Sequence, residues 1–341
     1  MSAIKIALDA MGGDFAPEVE VEGGIAACRE YGIELVLVGD EKRIAEELKK
    51  HPAAGLPISI LHSEQVVTME DAPSMVIRRK RNSSIWKATE LVQEGKASAV
   101  VSAGNTGACM ASAIFILNPL KGIDRPAIAA IFPTLKDPMI MVDVGANVDC
   151  KPKHLFQFAV MGDVYASRIF GLQKPKIALL SNGEEDTKGN DLTKESFKLL
   201  RASLPNFTGN IEGKDIFKGD VDVIVCDGFV GNVVLKTSEG LSEAMFKLLR
   251  AEISRASFLG KLGYPFLKPS FARFKKRVDY SEYGGAPLLG VNGICMICHG
   301  RSTAKAIKNA IGRAKNLVDQ EVNAYIQREI ESSLSSESRP E

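Results

Sequence analysis

Short apolar runs alternate with helix-length segments in the first part of this chain, and this alternation restricts the possible folds more than any other feature. Apolar runs at 4–8, 34–38 and 58–61 are separated by helical patterns at 17–31 and 41–50. Alternating strands and helices are typical of a parallel sheet covered by helices on both faces. The sequence therefore predicts an α/β fold with a doubly wound, mostly parallel sheet.

The length of 341 residues exceeds the size of most single cores, so we expect either two lobes or a large sheet with an insertion. No clear linker separates them, which predicts one catalytic domain over 1–331 with interwoven lobes. Apolar runs at 128–132 and 139–142 predict an antiparallel strand pair within it. The Ser- and Glu-rich tail at 332–341 is expected to be disordered.

The overall charge and the apolar segments exclude several classes of protein. A formal net charge of +1 argues against a general nucleic-acid-binding surface. The N-terminus lacks a signal-peptide pattern, and the sequence has no apolar stretch of about 18 residues to span a membrane. Most cysteines lie in apolar runs, as buried, reduced thiols do. These features predict a cytoplasmic protein.

Small polar residues follow five of the predicted strands, at 9–14, 102–107, 143–147, 181–188 and 227–232. Glycine lets a backbone approach a ligand closely, and Asn, Ser or Thr can cap the helix that follows. The free N–H groups at such helix starts attract anions such as phosphate. We therefore predict one shared cleft for a phosphate-containing ligand, and the alternative is a set of ordinary tight turns.

The same loops carry acidic side chains, which would repel phosphate unless they are paired. One interpretation is that they hold Mg²⁺ together with substrate oxygens. The favoured interpretation is that they accept hydrogen bonds from backbone amides, orient donors and pair with Lys188, the only cation in the loop 181–188. Lys188 can neutralise a phosphate or an oxyanion, and the alternative is an exposed loop lysine.

Several common catalytic motifs are missing from the sequence. It contains neither a G-x-S-x-G nucleophile elbow nor a G-x-x-x-x-G-K-[ST] phosphate loop, and its four histidines lack metal-pair spacing. The run Cys295 to His299 fits a haem-attachment motif, but its alternating apolar residues predict a buried strand instead. We therefore expect no metal and no cofactor.

The segment 254–278 combines large apolar side chains with exclusively basic charges. Pro265 and Pro269 divide it into short pieces, which predicts an amphipathic helical hairpin. This composition is typical of an element that lies on an anionic membrane surface. The alternative is a dimer contact with a basic rim. The membrane-contacting residues predicted are Phe258, Leu259, Leu262, Phe266, Phe271, Lys275 and Lys276.

Motifs along nearly the whole chain, from residue 4 to about 325, resemble the phosphate acyltransferase family of bacterial phospholipid synthesis, the PlsX family. They are ALDAMGGDFAPE at 7–18, APSMVIRRKRNSSI at 72–85, SAGNTGA at 102–108, DVGAN at 143–147, LSNGEEDTKGN at 180–190, CDGFVGN at 226–232 and YGGAPLLGVNG at 283–293.

This resemblance implies transfer of a long-chain fatty acyl group from acyl carrier protein to inorganic phosphate. The product would be acyl-phosphate, which a membrane glycerol-3-phosphate acyltransferase then uses for phospholipid synthesis. The resemblance also implies a fold like that of phosphotransacetylases and of the isocitrate and isopropylmalate dehydrogenases. It further implies a homodimer peripherally associated with the inner face of the cell membrane.

In this interpretation Lys188 stabilises the developing charge, and Asn182, Asn232 and Asn147 donate hydrogen bonds to the oxyanion. The residues predicted to bind substrate or to orient the loops that do so are Asp9, Gly12, Gly13, Gly104, Asn105, Thr106, Gly183, Glu184, Asp227 and Gly228. Carrier protein is acidic, so either the basic run 78–81 or the basic residues at 273–277 would dock it.

Three other functions remain open from the sequence. A phosphotransacetylase-like enzyme would take acyl-CoA instead of acyl carrier protein. A metal- and NAD-dependent dehydrogenase would account for the acidic loops, although no dinucleotide-binding fingerprint follows the first strand. A non-catalytic membrane scaffold would use 254–278 and the basic runs, but it would not need five site-like loops.

Overall fold

The computed structural model describes residues 3–255, 266–271, 273–274 and 283–337. Within these residues, eleven strands form one sheet. The strands are β1 (Lys5–Asp9), β2 (Glu34–Gly39), β3 (Ile58–His62), β4 (Ala99–Ser102), β5 (Ala127–Phe132), β6 (Met139–Val142), β7 (Ile177–Ser181), β8 (Phe207–Glu212), β9 (Val223–Val225), β10 (Ala286–Leu289) and β11 (Ile294–Ile297).

Ten α-helices with defined ends accompany the sheet in the described residues. They are α1 (Glu18–Tyr31), α2 (Glu41–Lys49), α3 (Pro73–Arg79), α4 (Ser84–Gln93), α5 (Thr106–Leu117), α6 (Pro152–Phe170), α7 (Asp191–Ser203), α8 (Gly228–Arg255), α9 (Ala304–Asp319) and α10 (Val322–Glu337).

The strand order is β3-β2-β1-β4-β11-β10-β5-β6-β9-β7-β8. Pairing is parallel within β3-β2-β1-β4-β11 and within β6-β9-β7-β8. The pairs β11–β10, β10–β5 and β5–β6 are antiparallel. These three reversals make the two parallel sets run in opposite directions, and one continuous sheet joins the two halves of the chain.

The two faces of the sheet bury separate cores because neighbouring residues in a strand point to opposite sides. Ile6 and Leu8 of β1 pack with Val21 of α1 on one face, and α2, α6, α7, α9 and α10 contribute to this core. Ala7 of the same strand packs on the other face with Trp86 of α4, together with residues of α3 and α5. Helices on both faces confirm the predicted doubly wound, mostly parallel α/β fold.

The structure differs from the sequence prediction in four elements. The polar segment 68–84 contains the helix α3, and β8 lies where the sequence predicted no strand. The predicted final helix is two helices, because Glu321 adopts a positive φ of 50° between α9 and α10. Helix α10 continues to Glu337, beyond the start of the predicted disordered tail at 332. Of that tail, 338–341 lie outside the described residues.

The structure also bears on the run Cys295 to His299 and on the predicted membrane hairpin. Cys295 lies in β11 and is 1% exposed, so the strand predicted there is confirmed. Of the predicted membrane-contacting residues, Phe266 is 86% exposed and Phe271 is partly buried. Phe258, Leu259, Leu262, Lys275 and Lys276 lie outside the described residues. Among the described helices, none is both long and apolar enough to cross a membrane.

Candidate active site

The loops after β1 and β4 meet at a buried hydrogen bond between Asp9 and Ser102. The Ser102 hydroxyl donates to Oδ2 of Asp9 over 2.7 Å, and the backbone N–H of Met11 donates to Oδ1 over 3.2 Å. The backbone N–H of Gly104 in turn donates to the Ser102 oxygen over 3.0 Å. Burial raises the pKa of Asp9. Asp9 therefore holds both predicted substrate loops in place.

Gly12 and Gly104 bring these two loop backbones into direct contact. A Cβ atom on Gly12 would lie 2.8 Å from the Gly104 nitrogen and 2.6 Å from Oδ2 of Asp9. Any larger residue at position 12 would push the loops apart, which explains the need for glycine there. Gly13 similarly leaves no room for a Cβ beside the buried carboxylate of Glu20.

Asn105 connects the loop after β4 to the segment 68–71. Its side-chain oxygen accepts a hydrogen bond from Ala108 at the start of α5. Its amide nitrogen lies 3.0–3.3 Å from the carbonyl oxygens of Thr68, Met69 and Asp71. Asn105 is thus a helix cap and a structural tie. Its neighbour Thr106 opens α5 and is exposed.

The loop after β6 wraps around the fully buried carboxylate of Asp143. This carboxylate accepts hydrogen bonds from the backbone N–H groups of Ile128, Gly145, Ala146 and Asn147. Burial raises its pKa. The sequence predicted that carboxylates in these loops accept hydrogen bonds from backbone amides, and Asp143 does so.

Asn147 does not present a free amide in this structure. Its Nδ2 donates to the carbonyl oxygen of Pro126 over 2.8 Å and to Oδ2 of Asp143 over 3.0 Å. Both amide hydrogens are therefore engaged within the protein. The predicted oxyanion-donor role of Asn147 would require that these bonds break, so the structure favours a structural role.

Helix α8 begins against the same loop, and glycines allow this contact. The N–H of Gly228 donates to the carbonyl oxygen of Asn147 over 2.7 Å, and a Cβ on Gly228 would lie 2.8 Å from Oδ2 of Asp143. Asp227 caps the helix by accepting from the N–H of Val230 over 2.8 Å. The side chain of Asn232 is exposed and packs near Gly145. Asn232 is thus the predicted donor that faces solvent at this helix start.

The loop after β7 places the Lys188 side chain across Gly183. A Cβ on Gly183 would lie 2.6 Å from Cγ of Lys188 and 2.9 Å from Oε2 of Glu185. The N–H of Lys188 donates to the carbonyl oxygen of Glu185, and Nδ2 of Asn210 donates to the same oxygen. Lys188 and Asn182 are both exposed. The loop is therefore fixed, while its cation and its amide face solvent.

The sequence predicted that acidic side chains of these loops pair with Lys188, but Glu184 does not do so. Its carboxylate lies within 4.8 Å of those of Glu212 and Asp215. Lys214 pairs with Glu212, and Lys218 pairs with Asp215, so two of the three carboxylates already have cations. In the described part of the chain, no ion pair within 4.0 Å involves Lys188. Its ammonium group is available to an anionic ligand.

The opposite directions of the two parallel sets divide the loops into two groups. The loops after β1, β4 and β11 form one group, in which the N–H of Asp14 donates to the carbonyl oxygen of Gly300. The loops after β6 and β9 form the other, next to the loop after β7. Five strand-to-strand steps separate β4 from β9.

Helix α8 is the longest of the described helices. It begins at Gly228 in the second group, and its 28 residues span about 42 Å. The pKa of Glu243 in this helix is lowered, first by the hydrogen bond from Lys247 and also by Arg301, which follows β11 in the first group. A single cleft shared by both groups of loops stays a prediction.

Two buried groups in or beside the first set of loops were not predicted from the sequence. Ser102 is the residue that joins Asp9 to Gly104, and its position at the end of an apolar strand was the available signal. Glu20 is 1% exposed, and its Oε2 has no hydrogen-bond partner among the described residues. Burial, and then the charges of Asp9 and Asp14, raise its pKa to about 7. A lone acid on the buried face of α1 was the signal for Glu20.

This mostly parallel sheet, with helices on both faces, belongs to the phosphotransacetylase fold class. A phosphotransacetylase from Streptococcus pyogenes superposes with a TM-score of 0.57 at 17% identity, covering 96% of this chain and 94% of that one. EutD phosphotransacetylase from Staphylococcus aureus gives 0.56 at 18% identity, covering 92% and 94%. These likenesses concern the fold.

Residues 4–325 match the family model described as fatty acid synthesis protein, and the chain belongs to this family. "Phosphate acyltransferase" of Pelobacter propionicus is 57% identical over 95% of this chain and 93% of its own length. The protein of the same name from Geobacter sulfurreducens is 57% identical over 96% and 94%. The resemblance to the phosphate acyltransferase family is thereby confirmed, and the protein is an acyltransferase.

Proposed function

We propose that this enzyme transfers a long-chain fatty acyl group from acyl carrier protein to inorganic phosphate. The main support for phosphate as acceptor is the name of relatives that are 57% identical over nearly the whole chain. The donor is inferred from the motif resemblance. The product would be acyl-phosphate, which a glycerol-3-phosphate acyltransferase would consume in phospholipid synthesis.

The chemistry needs positioning more than deprotonation, because phosphate is already an anion at neutral pH. A phosphate oxygen attacks the thioester carbonyl carbon, a tetrahedral oxyanion forms, and the carbon–sulfur bond then breaks. The sulfur leaves as a thiolate that takes up a proton. Holding phosphate beside the thioester supplies the proximity for attack. This scheme accounts for an enzyme without a Ser–His pair.

Lys188 is the residue we assign to charge stabilisation. It is exposed, its stem is fixed across Gly183, and it has no ion pair in the described residues. A cation at this position lowers the energy of the oxyanion or of bound phosphate. Asn182 and Asn232 are exposed at neighbouring strand ends and would donate hydrogen bonds. Asn147 has its amide engaged and would support the loop.

The glycine loops would shape the phosphate and thioester path. Gly12 and Gly104 form a contact that excludes side chains, and the exposed Thr106 lies at the start of α5. Free N–H groups at a helix start favour an anion there. Asp9 and Asp227 would orient these loops rather than contact the substrate, since their hydrogen bonds go to the loops themselves.

A homodimer is supported by an exposed apolar row on α8. Val233, Leu241, Met245 and Leu248 are 50–66% exposed in the isolated chain. Contiguous exposed apolar surface of this kind marks a contact with another protein or with lipid. The predicted membrane contact is supported by Phe266 and Leu267, which are 86% and 54% exposed in the basic segment. Peripheral association with an anionic membrane is therefore part of the proposal.

The test is phosphate-dependent release of the free carrier-protein thiol from palmitoyl acyl carrier protein, with acyl-phosphate identified as product. Thiol release that does not depend on phosphate would overturn the proposal. Comparing palmitoyl-CoA with the palmitoyl carrier protein separates this enzyme from a phosphotransacetylase for acyl-CoA. Activity that survives EDTA and needs no NAD excludes a metal-dependent dehydrogenase, and any turnover excludes a non-catalytic scaffold.

A further inference from the structure

The basic run 78–81 does not behave as one uniform charged surface in the structure. Nζ of Lys80 donates to Oδ2 of Asp71 over 2.6 Å and to the carbonyl oxygen of Val66 over 2.9 Å, so its charge is used internally. Arg78, Arg79 and Arg81 are exposed, and the described part of the chain gives none of them an ion pair. Three arginines are therefore left for a partner.

Arg81 is held in place by aromatic rings. Its guanidinium carbon lies 5.4 Å from the centre of the Trp86 ring and 5.6 Å from that of Phe115, and its Nε donates to the carbonyl oxygen of Ile77. Phe115 is 50% exposed. Arginine and aromatic side chains are enriched in protein interfaces, whereas lysine is depleted. This composition distinguishes the surface from an ordinary solvated charge run.

Helix α3 lies alongside α5, which ties these arginines to the proposed active site. Gly107, at the start of α5, contacts Pro73 at the start of α3, and Arg81 beyond the end of α3 contacts Phe115 near the end of α5. The amide of Asn105 holds 68–71 against the same loop. A protein seated on α3 would therefore lie next to the loop 102–107.

We propose that the arginine face, defined as Arg78, Arg79, Arg81 and Phe115, docks an acidic protein surface. Under the proposed function, on which this inference rests, that surface belongs to the acyl carrier protein. From 72 to 89 the chain has no Asp or Glu, so the charge complementarity is strong. Phe115 lies nine residues after Thr106 in α5, about 14 Å along the helix, so the docked protein would lie at that distance from the loop 102–107. Electrostatic attraction of this kind acts mainly on the association rate and weakens with salt.

The test is the double reversal Arg78→Glu and Arg79→Glu. We expect the KM for palmitoyl acyl carrier protein and the Kd for the holo-carrier to rise about tenfold at low salt, and the difference to shrink in high salt. The KM for phosphate and turnover of palmitoyl-CoA or a palmitoyl-pantetheine thioester should stay within about twofold. The matched control is Lys174→Glu with Lys176→Glu, two exposed lysines before the amino end of β7.

An unchanged KM and Kd for carrier protein would overturn the inference, as would an equal loss of turnover with every donor. Weaker binding to vesicles of anionic lipid with an unchanged carrier Kd would instead assign the face to a membrane. Failure of the proposed function looks different, because the unsubstituted enzyme would then release no thiol from palmitoyl carrier protein in response to phosphate. The Kd measurement tests docking in either case.

Discussion

Gly12 and Gly104 lie so close that a single methyl group between them would displace two loops. A Cβ on residue 12 would lie 2.8 Å from the Gly104 nitrogen and 2.6 Å from Oδ2 of Asp9. The contact joins the ends of β1 and β4, which are neighbours in the sheet. These two glycines therefore set the shape of one wall of the proposed cleft.

Gly12→Ala should consequently reduce activity while leaving the fold intact. A loop displacement of about 1 Å near a reacting group costs on the order of 100-fold in rate, so we expect kcat/KM to fall by roughly 10- to 100-fold. Steady-state kinetics with palmitoyl carrier protein and phosphate measure this. Gly240→Ala in α8, where a Cβ meets nothing within 4 Å, is the control and should gain about 0.5–1 kcal/mol of stability. Wild-type kinetics for Gly12→Ala would contradict the close-contact account.

Glu20 should make stability depend on pH. Its pKa of about 7 in the folded protein is raised from 4.5 by burial, so the folded state holds a proton that the unfolded state has lost. Below pH 4.5 Glu20 is protonated in both the folded and the unfolded state, so its burial causes no pH-dependent loss of stability. The free energy of unfolding falls as the pH rises from 4.5 to 7, and the full loss of about 3 kcal/mol applies above pH 7. Urea unfolding at pH 5 and pH 8 measures this.

Glu20→Gln should remove that dependence, so its stability relative to the unsubstituted protein should be higher at pH 8 than at pH 5. The exposed Glu22 on the same helix supplies the control, and Glu22→Gln should leave the pH profile as it is. An identical difference between Glu20→Gln and the unsubstituted protein at both pH values would show that Glu20 does not titrate in this range.

Phe258→Asp together with Phe266→Asp should weaken binding to vesicles of anionic lipid by about tenfold or more, because burying one large apolar side chain is worth about 1.5–3 kcal/mol. Phe266 is 86% exposed in the structure. Co-sedimentation with vesicles at low and high salt is the measurement, and high salt should also reduce binding. Leu135→Asp is the control, because Leu135 is 79% exposed elsewhere on the surface. Unchanged vesicle binding by the double variant would refute the membrane contact.

The strand ends could be predicted because each follows a local apolar run, and the structure places a strand before all five loops. Strand β8 was not predicted, because its sequence FTGNIE lacks an apolar run. In the structure its residues alternate between buried and more exposed positions, and Gly209 within it has a φ of 118°. The parallel set β6-β9-β7-β8 runs in the opposite direction to the other set partly because β10 pairs antiparallel with both β11 and β5. Strand β5 is distant from β10 in the sequence. Local pattern carries no information on such pairings.

Individual site roles were harder to predict than the loops that carry them. The sequence indicated Asn147 as a donor, yet its amide is engaged with Pro126 and Asp143. Glu184 was predicted beside Lys188 and lies with Glu212 and Asp215 instead. Both outcomes depend on residues that only the folded chain brings together. A sequence motif gives the residue type at a loop, whereas hydrogen-bond partners decide which donors remain available.

Turnover by Lys188→Ala measures what the cation of the loop after β7 contributes to acyl transfer. The side chain is exposed, so its loss should leave the free energy of unfolding within about 0.5 kcal/mol. Phosphate-dependent thiol release from palmitoyl carrier protein should fall by about 100- to 1,000-fold in kcat/KM, the usual loss when one oxyanion-stabilising group is removed. Lys194→Ala, an exposed lysine on α7, should behave as the unsubstituted enzyme. Full turnover by a folded Lys188→Ala variant would contradict the proposed role of Lys188 and the site built around it.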